Sequence, residues 1–342
     1  MIKTLIHKFS VIFSLCVFIS LIGMFSVIVY FNAPNRYHKE DQKFIIDNGM
    51  SFRAVVNKLH DEGIVRSPTA FLYLSQLIKG YNPTVRYGEY FFEKNLSYYK
   101  IMHKMVKGYV SFRKVTVAEG LSVHSTLEII NDSYGLIGEI TEKVPEGSLL
   151  PETYFYSYND TKMSVIKRMQ EAMNKTIDEL WENRDKTIPV KTKKDAIILA
   201  SIVERETGIA AERDKVASVF VNRLKKGMKL QSDPTIIYSY AFGDKNKERP
   251  IRRSDINNNS PYNTYNVYGL PPAPICNPGI DSIKAVLNPP KTNYLYFVAS
   301  GNGRAHNFST NLKDHNQFVR AYYKLLRERK AAVNKAGEEE AK

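Results

Sequence analysis

Two glutamates stand at the end of the most apolar helical stretch of the chain, and they are the residues best suited to acid chemistry. The segment Lys194 to Thr207 reads KDAIILASIVERET, and its apolar part has no polar face, so we expect a helix buried inside a domain. Glu204 and Glu206 lie at its C-terminal end, where lost hydration and the negative pole of the helix both favour a protonated carboxyl group. A glutamic acid that stays neutral near pH 7 can donate a proton.

The two acids are expected to point in different directions. At about 100° per residue their side chains lie roughly 200° apart, so they cannot share one task. The small residues Ala200 and Ser201 below Glu204 leave room for a ligand. Alternatively, either acid is a helix-end residue paired with a cation such as Arg213, because structural ion pairs also perturb acids. The residues alone leave both interpretations open.

The composition and the motifs argue against several classes of chemistry. The 342 residues are 43% hydrophobic and 25% charged, which is typical of globular proteins and long enough for two domains. Only two cysteines occur, Cys16 in an apolar run and Cys276 far along the chain, so we expect no intrachain disulfide. The seven histidines lack metal-ligand spacing, and no P-loop, GxSxG or GxGxxG context is present. We therefore expect neither a metal nor a cofactor.

What remains is a buried acid together with many tyrosines and amide side chains. Carbohydrate hydroxyls bind amides and carboxylates, and the C–H faces of sugars stack on aromatic rings. This composition favours a carbohydrate ligand without specifying it. The amides in question are Gln231, 257–259, Asn263 and Asn307.

An apolar run near the N-terminus predicts a membrane anchor. Phe9 to Phe31 is almost wholly apolar and long enough to cross a hydrocarbon core of about 30 Å. The run is too long for a signal peptide, and Asn32-Ala33-Pro34 is a poor cleavage site, so we expect the anchor to stay uncleaved. Lys3 and Lys8 precede the run, which favours a cytoplasmic N-terminus. Everything after Pro34 then lies outside the bacterial inner membrane, in the periplasm.

The formal net charge of +14 raises the question of an anionic partner. No nucleic-acid-binding motif accompanies it, and an extracytoplasmic domain meets no chromosome, so we expect no nucleic acid. An anionic membrane surface or wall polymer suits the charge better, although solvated lysines without a specific partner explain it equally.

The periodicities predict an α+β protein in two folded parts. Residues 43–92 read as strand, helix, helix, strand, and a third helix and strand lead to a boundary near Arg113. The second part contains Asp233-Pro234, which we interpret as the N-cap and first-turn proline of a helix. We expect the charge-dense C-terminal tail to fray. The predicted organisation is an anchor at 1–34, a small β-α-α-β module at 43–113, a larger α+β domain at 114–328 and the tail at 329–342.

Several motifs in order resemble the endolytic murein transglycosylase, or YceG-like, family, and the resemblance covers essentially the whole chain, including the anchor and the small module. The central motif is ASIVERET at 200–207, which contains Glu204. The others are ERDKVASVFVNRL at 212–224, LQSDPT at 230–235, YNTY at 262–265, GLPP at 269–272, YLYFVA at 294–299 and HNFSTNLKDHN at 306–316.

The resemblance implies a cell-wall lyase that cuts inside peptidoglycan glycan strands at the inner membrane and so terminates nascent strands. It also implies that the small module is LysM-like, that peptidoglycan synthases are partners, and that Glu204 is the catalytic acid in place of Glu206. The LQSDPT segment has Ser232 where related sequences often have threonine, a change that preserves a hydroxyl group.

From this resemblance we expect one carboxyl group to do the whole reaction. Neutral Glu204 protonates the oxygen of the β-1,4 bond between MurNAc and GlcNAc, and its carboxylate then takes the proton of the MurNAc C6 hydroxyl. A 1,6-anhydro end forms and no water is consumed, whereas ordinary glycosidases use two carboxyl groups. The candidates for holding sugar or orienting Glu204 are Gln231, Asp233, Asn263 and Tyr265. Two alternatives stay open: a non-catalytic, membrane-tethered wall-binding protein and a hydrolytic muramidase.

Overall fold

The chain folds into a mixture of helices and short strands. In the computed structural model, the backbone is described for residues 2–79, 84–303 and 305–340, and side chains for 6–76, 84–303 and 305–331. The described chain divides into two compact units. Unit 1 comprises 1–113 with the short segments 135–137 and 155–160, and unit 2 comprises the remainder, which begins at Lys114.

Unit 1 begins with the long apolar helix that the sequence predicts. Helix α1 (Ile2–Asn32) contains a 27-residue stretch, Ile6–Asn32, that is long and apolar enough to cross a membrane. Most of its side chains are exposed in the free chain, as expected for a helix that apolar lipid would cover. Its last turn differs, because Phe31 is buried in the core of unit 1 and Tyr30 packs edge-on against the ring of Tyr98.

The predicted β-α-α-β order is observed in unit 1. Strand β1 (Gln42–Ile46) is followed by helices α2 (Phe52–Asp61) and α3 (Pro68–Lys79), and β2 (Gly88–Phe92) pairs antiparallel with β1. The second strand begins three residues later than expected. Helix α4 (Tyr98–Lys107) completes the unit and ends at Gly108, whose left-handed φ of 69° is a common helix stop. The apolar faces of these elements enclose one core, which includes Phe44, Val55, Leu59, Phe71, Tyr90 and Met102.

Two further short strands follow α4 in the sequence. Strands β3 (Phe112–Thr116) and β4 (Thr153–Ser157) pair with each other. Helix α5 (Val123–Asn131) lies between them in sequence, and Ser122 caps it by accepting a hydrogen bond from the backbone of Ser125.

Unit 2 is built around α7 (Lys193–Glu206), the apolar helix that carries the two glutamates. It packs against α6 (Lys162–Glu182), α8 (Ala210–Lys225), α9 (Asp233–Ala241) and α11 (Ile280–Leu287). The short helix α10 (Arg253–Ile256) and a loop lie between α9 and α11. An antiparallel pair, β5 (Tyr296–Ala299) and β6 (His306–Ser309), precedes α12 (Leu312–Glu340). The predicted burial of α7 is confirmed, because Ala196, Leu199, Ala200, Ile202 and Val203 have no exposed surface.

Three features depart from the sequence-based expectations. Helix α6, 21 residues long, was not anticipated, although Thr161 caps it and Val165, Met169 and Met173 follow the helical repeat. The apolar segment 294–299 predicts a buried strand, but the strand that it forms, β5, is only half-buried. The tail does not fray in this structure, since α12 continues through Glu340, and residues 341–342 lie outside the described part.

Candidate active site

Helix α7 positions the acids because both of its ends are well defined. Thr192 and Asp195 form a capping box, in which the Thr192 hydroxyl accepts from the Asp195 backbone and the Asp195 carboxylate accepts from the Thr192 backbone. The helix ends when Thr207 adopts an extended conformation. Glu204 and Glu206 therefore lie in the last turn, as predicted, and they face different groups of side chains.

The Glu204 carboxyl group is held from two directions. Its Oε2 accepts a hydrogen bond of 2.9 Å from the backbone N–H of Gly279, the residue that precedes α11. Its Oε1 lies 3.5 Å from a guanidinium nitrogen of Arg213 on α8, and the Glu204 side chain is 6% exposed. Gly120 packs against its methylene group, since a Cβ there would lie 3.6 Å from Cγ of Glu204.

One cation serves three carboxyl groups at this place. Arg213 lies 3.5 Å from Glu204, 3.7 Å from Glu119 and 3.7 Å from Asp281. Arg213 is nearly buried, and among the residues that the structure describes no hydrogen-bond partner is found for its Nε. We call Glu119, Glu204, Arg213 and Asp281 the acid cluster.

Glu119 is the more accessible acid of the cluster. Its side chain is 45% exposed, against 6% for Glu204. Burial, and after it the charge of Glu204, raises the pKa of Glu119 above its ordinary value. No local pattern in the sequence marks Glu119 as an acid beside Glu204.

Glu206 belongs to a second group. Its Oε1 accepts a 2.5 Å hydrogen bond from the Ser232 hydroxyl, and burial raises the pKa of Glu206 to about 7. Arg223 on α8 is also part of this group, and burial lowers its pKa. Arg223 donates to the carbonyl oxygens of Leu230 and Leu295 and approaches the Gln231 side chain at 3.4 Å. The perturbed titration expected at the end of α7 is thus found at Glu206.

Three of the predicted sugar-binding residues lie beside this second group. Asp233 and Gln231 are exposed, and the Tyr265 hydroxyl donates a 2.7 Å hydrogen bond to Asp233. Gln231 has a left-handed φ of 50°, and its backbone N–H donates to the carbonyl of Thr264. The interpretation of Asp233 as an N-cap is wrong, because α9 begins at Asp233 and the cap position is Ser232. We call Glu206, Arg223, Gln231, Asp233 and Tyr265 the Glu206 group.

Asn263 lies apart from both groups in its contacts. Its side chain has no exposed surface, and its amide nitrogen donates to the carbonyl oxygens of Ile256 and Asn258, each at 2.9 Å. Its Oδ1 accepts from the backbone N–H of Tyr265. A contact between this side chain and a sugar would require the loop to open, so we leave Asn263 out of the proposed substrate surface.

A further buried acid was not singled out in the sequence. Glu146 accepts a 2.8 Å hydrogen bond from the backbone N–H of Val123 at the start of α5, and the Tyr238 hydroxyl lies 3.3 Å from its other oxygen. Burial raises the pKa of Glu146 to about 7. Its contacts are those of a group that completes a helix N-terminus.

The described residues contain no group of three or more histidine, cysteine, aspartate or glutamate side chains arranged to hold a metal ion. His306, within the HNF motif, is occupied by a structural contact. Its backbone N–H and its ring Nδ1 approach the two carboxylate oxygens of Glu212 at 3.0 and 2.8 Å, which ties β6 to α8.

Comparison with known proteins gives these groups a context. The sequence model of the YceG-like family matches residues 44–321. A relative in Bacillus subtilis, named endolytic murein transglycosylase, is 33% identical over 81% of this chain and 83% of its own length. A relative of the same name in Streptococcus pneumoniae is 34% identical over 51% of this chain and 31% of its own length. The crystal structure of a YceG-like protein from Listeria monocytogenes is 27% identical, covers 82% of this chain and 99% of its own, and has a TM-score of 0.49.

The matched region includes most of both units and all four residues of the acid cluster, and the relatives carry the name of an enzyme. The resemblance inferred from the motifs, and with it the prediction of an enzyme of the lytic transglycosylase type, is confirmed. The chain belongs to the YceG-like family.

Proposed function

We propose that this protein cleaves the β-1,4 bond between MurNAc and GlcNAc inside nascent peptidoglycan strands, leaves 1,6-anhydro-MurNAc ends and so terminates strand elongation. The names of its relatives support the substrate class. The observation that carries the proposal is the acid cluster, in which Glu204 is held at the end of a buried helix by Gly279 and Arg213. The partnership with peptidoglycan synthases is proposed from the family alone.

Glu204 performs both proton transfers in this proposal. Its carboxyl group protonates the glycosidic oxygen as the bond from that oxygen to C1 of MurNAc breaks. The hydrogen bond from the Gly279 N–H and the positive charge of Arg213 then stabilise the carboxylate that is left, because both favour the ionised form. The carboxylate takes the C6 hydroxyl proton while the C6 oxygen bonds to C1. The acid is restored and the anhydro ring closes without water.

The Glu206 group provides polar side chains for the strand beyond the cleaved bond. Gln231 and Asp233 are exposed, and Tyr265 offers a half-buried aromatic ring beside them. An exposed carboxylate, an amide and an aromatic ring suit the hydroxyls and C–H faces of a sugar. We assign these three side chains to glycan binding and Glu206 itself to holding the Ser232 segment in place.

Two variants on the same helix test the assignment of the acid. Glu204→Gln keeps the shape of the side chain and the hydrogen bond from Gly279 but removes the proton. We expect it to lower the release of anhydro-ended muropeptides by at least about 100-fold, the usual contribution of a general acid. Glu206→Gln is the matched control and should retain most of the activity.

The products identify which activity is present. Mass analysis of fragments released from purified peptidoglycan distinguishes 1,6-anhydro ends from the reducing ends that a muramidase leaves. Binding of glycan without any shortening would favour the tethered wall-binding protein. Anhydro-ended products from Glu204→Gln at the wild-type rate would remove Glu204 from the mechanism.

We also propose that α1 anchors the protein in the inner membrane, with its N-terminus in the cytoplasm and the chain after Pro34 in the periplasm. The length and apolar character of Ile6–Asn32 support the anchor, and Lys8 before the apolar run supports the orientation. The β-α-α-β order of unit 1 supports its assignment as a LysM-like module. The proposed organisation is the anchor at 1–34, this module at 43–113, the catalytic domain at 114–328 and the tail at 329–342.

A further inference from the structure

A cavity lined by two arginines and three tyrosines lies in unit 1 where α1 ends. Its volume is about 290 Å³, and it is lined by the segment 33–35 and by Tyr30, Arg36, Tyr37, Arg66 and Tyr98. We call it the interfacial cavity. Among the described residues, the salt bridges of unit 1 involve neither Arg36 nor Arg66, so both guanidinium groups are available to an anion.

An apolar groove adjoins the interfacial cavity along α1. It is lined by Val27, Phe31, Ala70 and Tyr73, and Tyr30 lines both the groove and the cavity. The groove therefore follows the last turns of the proposed membrane helix and leads to the two arginines. A molecule that fills both must be apolar along one part and anionic at the other, as a phospholipid is.

The backbone around the cavity is fixed, so the arrangement does not depend on a flexible linker. The Asn35 side chain donates a 2.7 Å hydrogen bond to the carbonyl of Ile64, and its backbone N–H donates to the carbonyl of Asn95. On the other side, the backbone N–H of Arg66 donates to the hydroxyl oxygen of Tyr98 at 3.0 Å. Preorganised donors bind a ligand with less loss of conformational entropy than mobile ones.

We propose that the interfacial cavity binds the phosphate head of an anionic glycerophospholipid, with an acyl chain in the adjoining groove. Guanidinium groups match the oxygens of a phosphate in a bidentate geometry, and tyrosines are enriched at the level of lipid headgroups. Basic pockets beside membrane helices are known to hold anionic headgroups. A wall glycan does not explain the groove, because glycans have no acyl chain to fill it. A lipid bound at this site would fix the height of the β-α-α-β module above the bilayer. The proposal rests on the membrane anchor proposed above.

Native mass spectrometry of the full-length chain in detergent tests the site, with phosphatidylglycerol, phosphatidylcholine and inorganic phosphate added in separate titrations. We expect phosphatidylglycerol to be retained at least about tenfold more tightly than phosphatidylcholine, and inorganic phosphate not to compete with it. Arg36→Gln with Arg66→Gln should remove this preference. Arg53→Gln with Lys107→Gln, which removes the same charge from exposed positions of unit 1, should keep it.

A double lysine variant is the control for misfolding of the double glutamine variant. Arg36→Lys with Arg66→Lys keeps the charge but loses the bidentate geometry, so we expect a preference between those of the wild type and the glutamine pair. Equal retention of both lipids, an unchanged preference in the glutamine pair, or equal competition by inorganic phosphate would overturn the proposal.

Two further measurements separate this proposal from the proposed function. Release of the chain from membranes by alkaline extraction would overturn both the anchor and the lipid site. In contrast, Glu204→Gln should leave lipid retention unchanged even where it abolishes cleavage. The lipid-binding proposal and the catalytic proposal can therefore be confirmed or contradicted independently of each other.

Discussion

The carboxyl group of Glu119 occupies the space that a side chain at Gly279 would need. Gly279 also donates its backbone N–H to Glu204, so one glycine brings two acids to the same place. The φ of Gly279 is −74°, which any residue can adopt, and the need for glycine here is therefore one of space. This relationship makes Glu119 the first residue to test after Glu204.

Removing the charge of Glu119 should change the pH dependence of cleavage. Like charges in one site hold a proton to higher pH, and the pKa of Glu119 is raised in part by Glu204. In Glu119→Gln the alkaline limb of the activity profile should therefore move to lower pH, whereas activity at the acidic end should change less. Rates of anhydro-muropeptide release across the pH range measure this shift. A profile identical to the wild type would show that Glu119 is uninvolved.

Gly279→Ala should shift the pH profile of cleavage as Glu119→Gln does, although no acidic residue is replaced. The added methyl group displaces the Glu119 carboxyl group, which can swing outward because the side chain is 45% exposed. We expect the same direction of shift in the pH profile and little loss of stability. Gly208→Ala is the matched control, since an added Cβ there meets nothing within 4 Å. If both alanine variants behave alike, the proposed crowding at Gly279 is contradicted.

Glu206 should make unit 2 less stable as the pH rises. Its folded-state pKa is about 7, above the value of about 4.3 in unfolded chains, so the folded state binds the proton more tightly. Its contribution is fully present below pH about 4.3 and is lost as the pH rises through about 7. The difference between these two pKa values corresponds to about 4 kcal/mol, which the partial exposure of the side chain reduces to about 2.

Trp181, the only tryptophan, packs against the core of unit 2 and reports its unfolding by fluorescence. In Glu206→Gln the dependence of stability on pH should be flatter between pH about 4 and 8. The variant should be more stable than the wild type at the alkaline end of this range. An unchanged dependence would show that Glu206 titrates alike in the folded and unfolded states.

We expect Asn263 to stabilise the fold and not to bind the substrate. Asn263→Ala removes a fully buried side chain that donates to two carbonyl oxygens, and it leaves the backbone N–H of Tyr265 without this acceptor. It should cost about 2 kcal/mol of the free energy of unfolding. Asn266→Ala is the control, because this exposed amide donates to the same two carbonyls, those of Ile256 and Asn258, and should cost less than about 1 kcal/mol. Thermal unfolding followed by Trp181 fluorescence gives both values. Weaker glycan binding without loss of stability would instead support the original substrate-binding prediction.

Tyr265→Phe should weaken glycan binding while leaving the fold intact. The hydroxyl group orients Asp233 through a 2.7 Å hydrogen bond at an exposed place, so its loss should raise KM several-fold and leave kcat nearly unchanged. Tyr268→Phe, on the same loop and 72% exposed, is the control. A fall in kcat with constant KM would place Tyr265 in the chemical step.

The sequence alone predicted most of the elements and the position of both acids at the end of α7. The apolar run of α7 predicts burial because it has no polar face, and the 200° between Glu204 and Glu206 follows from helix geometry. Each acid does face a different group in the structure. The apolar length of α1 and the β-α-α-β order of unit 1 were likewise readable from local patterns. The cap and the apolar repeat of helix α6 also predict a helix, although α6 was not among the expected elements.

Only the tertiary structure decided which side chains meet at the acids. Glu119, Arg213 and Asp281 lie on three separate segments, and no local pattern states that they share one place with Glu204. In the same way, the fold assigned Gln231, Asp233 and Tyr265 to the Glu206 group and buried Asn263 within its own loop. Periodicity reports which face of an element is buried, whereas contacts between distant segments depend on how the whole chain packs.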